Sequence, residues 1–289
     1  MAESLLMSAA PAKINLSLEV LGRRPDGYHE LDTIVQTLTL ADRVIIVANG
    51  NHDGVAVAGP YASGTPVDRS NIAYQAAELL ARSVGRSAER VLIRLDKHVP
   101  PAGGLGGGAS DAATVLRLLG QHWEVPMEAL FEVANAVGSD EAALLIGGTV
   151  RAKGRGERVQ PLDSLPDHDV VLFIPPETIE KKTARMFQAL AGLPFDDGAI
   201  TSALASRSTI ACVDIYNTFE RVAFDLFPAL SRQWQELEDT TGEAIRLAGA
   251  GPTLFWIGPS GQGEAIAKRA TESTCTVIAT STARSLWRQ

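Results

Sequence analysis

The sequence predicts an α+β protein of two domains. Three observations carry that reading. First, β-branched and alternating apolar residues dominate 9–21, 31–40 and 42–48, so the chain opens as a sheet. Second, helical and strand patterns then mix without a strict βαβ alternation. Third, the stretch 155–167 is polar and turn-rich, and it marks a seam between domains 1–160 and 161–289. A length of 289 residues suits two domains.

The elements follow in order. Arg23-Arg24-Pro25-Asp26-Gly27 turns the chain between the first two strands. Residues 49–70 are loop-like with a short strand inside. From Asn71 to Ser83 the spacing of Ile72, Tyr74-Gln75 and Leu79-Leu80 predicts a helix. Val91 to Lys97 reads as a strand. Ser110 to His122 reads as a helix with Ser110 as N-cap and Asp111 in its first turn. Pro126 opens another helix through Ala136, since proline suits the first helical position. Strands are expected at Gly148–Ala152 and Val170–Ile174. Helices are then expected at 181–190, 199–206, 213–223 and 226–240. A strand, turn and strand over 244–257, a helix at 261–270 and a strand at 275–280 complete the chain.

The totals exclude several functions. A net charge of −8 argues against a general binder of nucleic acid or of membrane surfaces, which would need a basic face. It leaves room for an anionic ligand held by a local cluster of N–H groups and a lysine or two. No apolar run is long enough to span a bilayer. Glu3 stands where a signal peptide would carry positive charge, so the start reads as mature protein and the cytoplasm is the default. Cys212 and Cys275 are too few and too isolated for a disulfide framework or a metal knuckle, and both are expected as buried thiols.

The densest chemical signal is a run of five glycines in six positions: Gly103, Gly104, Gly106, Gly107 and Gly108. So few side chains cannot serve packing. They let backbone N–H groups come close to a guest, and the helix behind them adds unpaired N–H groups and a positive dipole end. A phosphate fits such a concavity. A flexible linker is a poor alternative, because a strand enters directly and an apolar-faced helix leaves directly. Gly104-x-Gly106-x-x-Ala109 satisfies a loose dinucleotide fingerprint. However, a second helix follows where a parallel strand should, and no acidic residue ends a strand about twenty positions on. No Gly-Lys-Ser/Thr follows the glycines, so this is not a Walker A loop.

The order Pro100-Pro101-Ala102-Gly103-Gly104-Leu105-Gly106-Gly107-Gly108-Ala109-Ser110 resembles the second motif of the GHMP small-molecule kinases. Two further motifs of that family are present in sequence order: Pro11-Ala12-Lys13-Ile14-Asn15-Leu16, and Gly249-Ala250-Gly251-Pro252-Thr253-Leu254-Phe255. Three more segments resemble the subfamily that acts on 4-diphosphocytidyl-2-C-methyl-D-erythritol. They are Arg24-Pro25-Asp26-Gly27-Tyr28-His29-Glu30-Leu31, Gly138-Ser139-Asp140 with Gly147-Gly148, and Gly154-Arg155-Gly156-Glu157. The resemblance implies an N-terminal ATP-binding domain with a mixed sheet and helices, and a C-terminal α/β sandwich with an antiparallel sheet. It implies transfer of the ATP γ-phosphoryl group, with Mg²⁺, to the 2-hydroxyl of that substrate, a step in non-mevalonate isoprenoid precursor synthesis. A monomer or homodimer is expected.

The same resemblance assigns roles. Asp140 is the candidate base and Lys13 its partner, a lysine that keeps the carboxylate ionised and orients the hydroxyl. The loop Pro100–Ser110 is expected to cradle the α- and β-phosphates. Ser110 has two roles open to it, a ligand to phosphate or Mg²⁺ and an ordinary N-cap. Asn71 and Lys97 are expected near the adenosine, although Asn71 alone reads as a helix cap. Tyr28 and His29 are expected at the cytidine, with Thr183 and Phe187 closing the pocket and Asn15 touching the substrate. Phe187 could equally be a core residue of its helix. No metal ligand is assigned.

Three departures stand out. Glu141-Ala142-Ala143-Leu144 replaces the subfamily's Val-Pro-Phe-Phe, which reshapes a wall of the acceptor pocket. Ala248 and Ala250 replace hydroxyl residues, and Ala109 replaces a common serine. They keep open a GHMP kinase for another small alcohol and a non-catalytic nucleotide-binding relative; retention of both Lys13 and Asp140 argues against the latter.

Overall fold

The computed structural model describes residues 3–285 apart from residues 51, 89, 177, 178 and 208. It is built on two 20-residue strands, β1 (Ser4–Arg23) and β2 (His29–Ala48). The expected strands 31–40 and 42–48 are one continuous strand, because Asp42 is satisfied where it stands by the backbone N–H groups of His98 and Val99. Residues 10–20 of β1 are buried on both faces. Alternation sorts them: Ala12, Ile14, Leu16 and Leu18 form an apolar row, and Lys13, Asn15, Ser17 and Glu19 a polar row.

The chain divides into two compact units of interleaved segments. One comprises residues 1–12, 40–101 and 106–147, the other 13–39, 102–105 and 148–289. Both long strands run through both units.

In the first unit, β4 (Val91–Asp96) pairs antiparallel with the second half of β2 and parallel with β3 (Gly54–Ala58), a mixed sheet. Four helices accompany it and pack on one another: α1 (Ile72–Ser83), α2 (Gly107–Trp123), α3 (Met127–Val137) and α4 (Glu141–Ile146). The short helix α4 was not expected. It is a six-residue, wholly buried segment, too short to show a helical period.

In the second unit, the first half of β2 pairs antiparallel with β5 (Thr149–Gly154), which pairs with β6 (Arg158–Pro161). β6 lies inside the polar stretch read as a seam. Its edge position tolerates polar residues and Pro161. β1 pairs in parallel with β8 (Tyr216–Asn217). A second sheet, wholly antiparallel, runs β11-β7-β10-β9, with β7 (His168–Ile174), β9 (Arg246–Leu247), β10 (Leu254–Pro259) and β11 (Thr276–Ser281). Its helices are α5 (Lys182–Ala189), α6 (Ala199–Leu204), α7 (Glu220–Leu226), α8 (Pro228–Thr241) and α9 (Gly263–Arg269). The helix expected at 213–223 is instead a single 3-10 turn, Cys212–Asp214, then β8, then α7. Cys212 and Cys275 are both buried, and burial pushes the Cys212 thiol up to about 12. Among the described residues no helix is long and apolar enough to cross a membrane.

Candidate active site

The glycine loop connects β4 to α2. Ala102, Gly104 and Gly106 all take left-handed backbone angles, with φ of 55°, 85° and 70°. At Gly104 the reason is a close approach as well. A Cβ there would stand 2.1 Å from the carbonyl oxygen of Ala248, and Gly103 O accepts from Thr253 N at 3.3 Å. The family's second and third motifs therefore pack backbone against backbone.

α2 begins at Gly107, three residues earlier than expected, with left-handed Gly106 as its N-cap. Two expectations are thereby corrected. Ser110 is not the cap, and Asp111 is not in the first turn, because glycine rather than a hydroxyl residue satisfies the left-handed entry. The first bond of the helix runs from Ser110 N to Gly106 O at 2.8 Å, so the amides of Gly107, Gly108 and Ala109 precede it. The Ser110 hydroxyl is buried and has no hydrogen-bond partner among the described residues.

Asn71 caps α1: its Oδ1 accepts from Ala73 N at 2.9 Å, and its Nδ2 donates to Pro66 O at 2.7 Å. Lys97 is buried, and its ammonium donates to both Asp42 and Asp111. Burial opposes the Lys97 charge, but the Asp111 and Asp42 carboxylates outweigh burial and hold its pKa above the usual lysine value. Burial pushes the Asp111 carboxyl up to about 7, against the pull of Lys97 and with the help of Asp42. Both residues expected at the adenosine therefore have structural partners. The carboxylates of Lys97 sit 55 and 14 positions away in the chain, and nothing local announces them.

In the other unit, Lys13 Nζ donates to Asn15 Oδ1 at 2.9 Å, and Asn15 Nδ2 donates to Thr33 Oγ1 at 2.8 Å. Lys13 N donates to Leu105 O at 2.9 Å, which ties β1 to the glycine loop. A Cβ on Gly249 would lie 3.5 Å from Lys13 Nζ and 3.4 Å from Asn15 Oδ1. Lower in the polar row, Glu19 accepts from Gly198 N and Thr201 N and so closes the start of α6.

The segments 24–31 and 154–158 meet. Arg24 pairs with Asp26, Glu30 and Glu157, and Arg158 pairs with Glu30. The Arg155 guanidinium lies over the Tyr28 ring at 5.2 Å. His29 stacks on Phe187, and Phe187 meets Phe219 edge-on at 4.9 Å. Burial, then Arg23, lowers the His29 pKa below its ordinary value. Thr183 is exposed on the first turn of α5. So Tyr28, His29 and Phe187 gather in one region. Arg155 stands in a segment already noted for its resemblance, but its contact with Tyr28 is visible only in the structure.

Asp140 stands immediately before α4 and its carbonyl accepts from Leu144 N at 3.0 Å. It belongs to the first unit and Lys13 to the second. The departure segment Glu141-Ala142-Ala143-Leu144 is buried throughout, and a Cβ on Gly138 would come 2.4 Å from Glu141 Oε2. Among the described residues no cluster of three or more His, Cys, Asp or Glu could hold a metal ion.

Residues 71–148 match the model of the GHMP kinases N terminal domain. The chain is 38% identical over 253 residues to a 4-diphosphocytidyl-2-C-methyl-D-erythritol kinase of Geobacillus thermodenitrificans, covering 85% of this chain and 86% of that one. It is 36% identical over 256 residues to the kinase of the same name from Bacillus subtilis, covering 86% and 87%. Among solved structures, a 4-(cytidine 5'-diphospho)-2C-methyl-D-erythritol kinase superposes with a TM-score of 0.74 at 33% identity, over 96% of this chain and 99% of that one. A mevalonate kinase of Methanococcus jannaschii shares the fold, with a TM-score of 0.65 at 13% identity over 97% and 99%.

Proposed function

The chain belongs to the 4-diphosphocytidyl-2-C-methyl-D-erythritol kinases of the GHMP family, and from that premise we propose that it moves the γ-phosphoryl group of ATP to the 2-hydroxyl of this sugar alcohol. The observation that carries the phosphoryl-transfer reading is the start of α2. Three amides ahead of the first helical bond and a buried, unpartnered Ser110 hydroxyl make a phosphate cradle in need of a guest.

Asp140 takes the proton of the acceptor hydroxyl as its oxygen bonds to the γ-phosphorus, and ADP leaves with the electrons of the broken P–O bond. Lys13, whose ammonium donates to Asn15, is the lysine we assign to keep that carboxylate ionised. Gly106, Gly107, Gly108 and Ala109 present their amides to the α- and β-phosphates. Tyr28, His29 and Phe187 serve the cytidine. Ser110 Oγ, buried and without a partner among the described residues, would meet a phosphate oxygen or Mg²⁺, and the ion would supply positive charge to the phosphates. Asn71 and Lys97 act on the adenosine side through the elements they hold. ATP is supplied in the cytoplasm, where we place the protein.

A second reading is kinase activity toward another small alcohol, favoured by the Glu141-Ala142-Ala143-Leu144 segment. ADP release with the diphosphocytidyl acceptor, compared with mevalonate and homoserine, tests both. Faster turnover on another alcohol would replace the first reading, and ATP binding with no turnover at all would remove both.

A further inference from the structure

Lys182 opens α5, and its ammonium donates to two carbonyls, Ala102 O in the glycine loop and Gly251 O in the glycine turn. Residues at both ends of this clasp are strained. Lys181 has φ 49° and Ala102 φ 55°, left-handed angles that residues with a Cβ rarely take. An ammonium has three N–H donors, so two carbonyls leave one over. No carboxylate lies within ion-pair distance of it among the described residues.

The nearby charge is a like one. Burial, and then the Lys13 ammonium, lowers Lys182 to about 8. Three other charged groups on neighbouring elements have partners elsewhere. Arg185 of α5 lies over Phe227 at 4.7 Å; in α7, Glu220 accepts from Leu247 N and Arg221 donates to Pro194 O, and Asp225 is the remaining charge on that helix. Two lysines are thus held beside one loop, one of them half-buried without a counter-ion. Such an arrangement is costly unless an anion joins it.

We propose that Lys182 is a phosphate-binding residue, whose ammonium is pre-positioned by Ala102 O and Gly251 O to meet phosphate oxygens beside Lys13. This rests on the kinase reading for its choice of ligand. Two sources of that chemistry exist, the triphosphate of ATP and the diphosphate of the acceptor, and Lys182 serves whichever presents its oxygens at the Lys13 end of the loop.

Calorimetric titration of the full chain with ATP and separately with the diphosphocytidyl acceptor tests this. Lys182→Met and Lys182→Arg are compared with wild type, and melting temperatures are read alongside. Lys182→Met is expected to weaken one of the two ligands about 10–100-fold, the range for a hydrogen bond to a charged group. Lys182→Arg should recover most of that loss. Affinity of the wild type for that ligand should fall as pH rises through about 8, and the fall should disappear in Lys182→Arg, which stays charged. Equal affinities and equal pH profiles in all three would overturn the proposal. So would an equal loss in both variants with a matching drop in melting temperature, which would make Lys182 a clasp only. Binding needs no turnover. If ligand affinity depends on Lys182 while no ADP appears, the kinase reading fails and this one stands.

Discussion

The imidazole of His29 and the ring of Phe187 stack face to face, their centroids 4.2 Å apart and their planes 12° from parallel. Rings in mutual contact leave no slot between them. An incoming base must use an outer face or part the pair. Phe187 also meets the buried Phe219 edge-on, and we propose that its remaining surface serves the acceptor base. Phe187→Ala should raise KM for the cytidine acceptor about 10–100-fold, since base–aromatic stacking is worth about 1–3 kcal/mol. KM for ATP should stay near the wild-type value. Steady-state kinetics with each substrate varied decides it, and an unchanged acceptor KM removes the aromatic site.

Asp140→Asn should lower turnover about 10²–10⁴-fold while leaving ATP affinity nearly untouched, because a positioned acid–base group contributes that much. Rapid-quench measurement of the chemical step, with calorimetric binding of ATP as control, separates the two. A variant that turns over at the wild-type rate would exclude this carboxylate as the base.

Glycines in one loop should fail in different ways. Gly104→Ala drives a Cβ to within 2.1 Å of Ala248 O at a φ of +85°, and neither backbone segment can yield cheaply. A loss of stability of about 1–3 kcal/mol is expected, visible in denaturant unfolding without ligand. Gly106→Val, at the entry to α2, should chiefly weaken ATP. If Gly104→Ala unfolds at the wild-type denaturant concentration, the two motifs do not bear on each other.

Asp111 makes stability depend on pH. Its carboxyl is raised above 3.8 to about 7 in the folded chain, so between those values the folded state holds more proton than the unfolded. That contribution is full below about pH 4 and is lost as pH rises through about 7. Asp111→Asn cannot titrate. Its melting temperature relative to wild type should therefore climb between pH 4 and pH 7. A difference that stays constant over the range, followed by differential scanning calorimetry, would contradict the shift.

Much of this was legible in the chain. The alternation in β1 and β2, the cap at Asn71 and the glycine loop are local signals, and each leads to the element it announces. What stayed hidden depends on partners distant in sequence. Asp42 is an unexplained acid at a strand start until Lys97 and the amides of His98 and Val99 are seen around it. Ser110 looks like a cap because a hydroxyl residue ahead of an apolar run is the usual start signal, and left-handed Gly106 takes that place instead. α4 is six residues whose burial is decided by α2 and α3. Nothing local singles out Lys182, whose two carbonyl partners lie 80 and 69 positions away.

The two rows of β1 have a consequence for how this gene can drift. Exchange of single letters within a row changes one contact. Loss or gain of one codon between Ala12 and Glu19 would rotate every later side chain to the opposite side, sending Ile14 and Leu16 into the water-seeking file and Asn15 into the oily one. The reading count along that stretch is held more tightly than the identity of most residues in it.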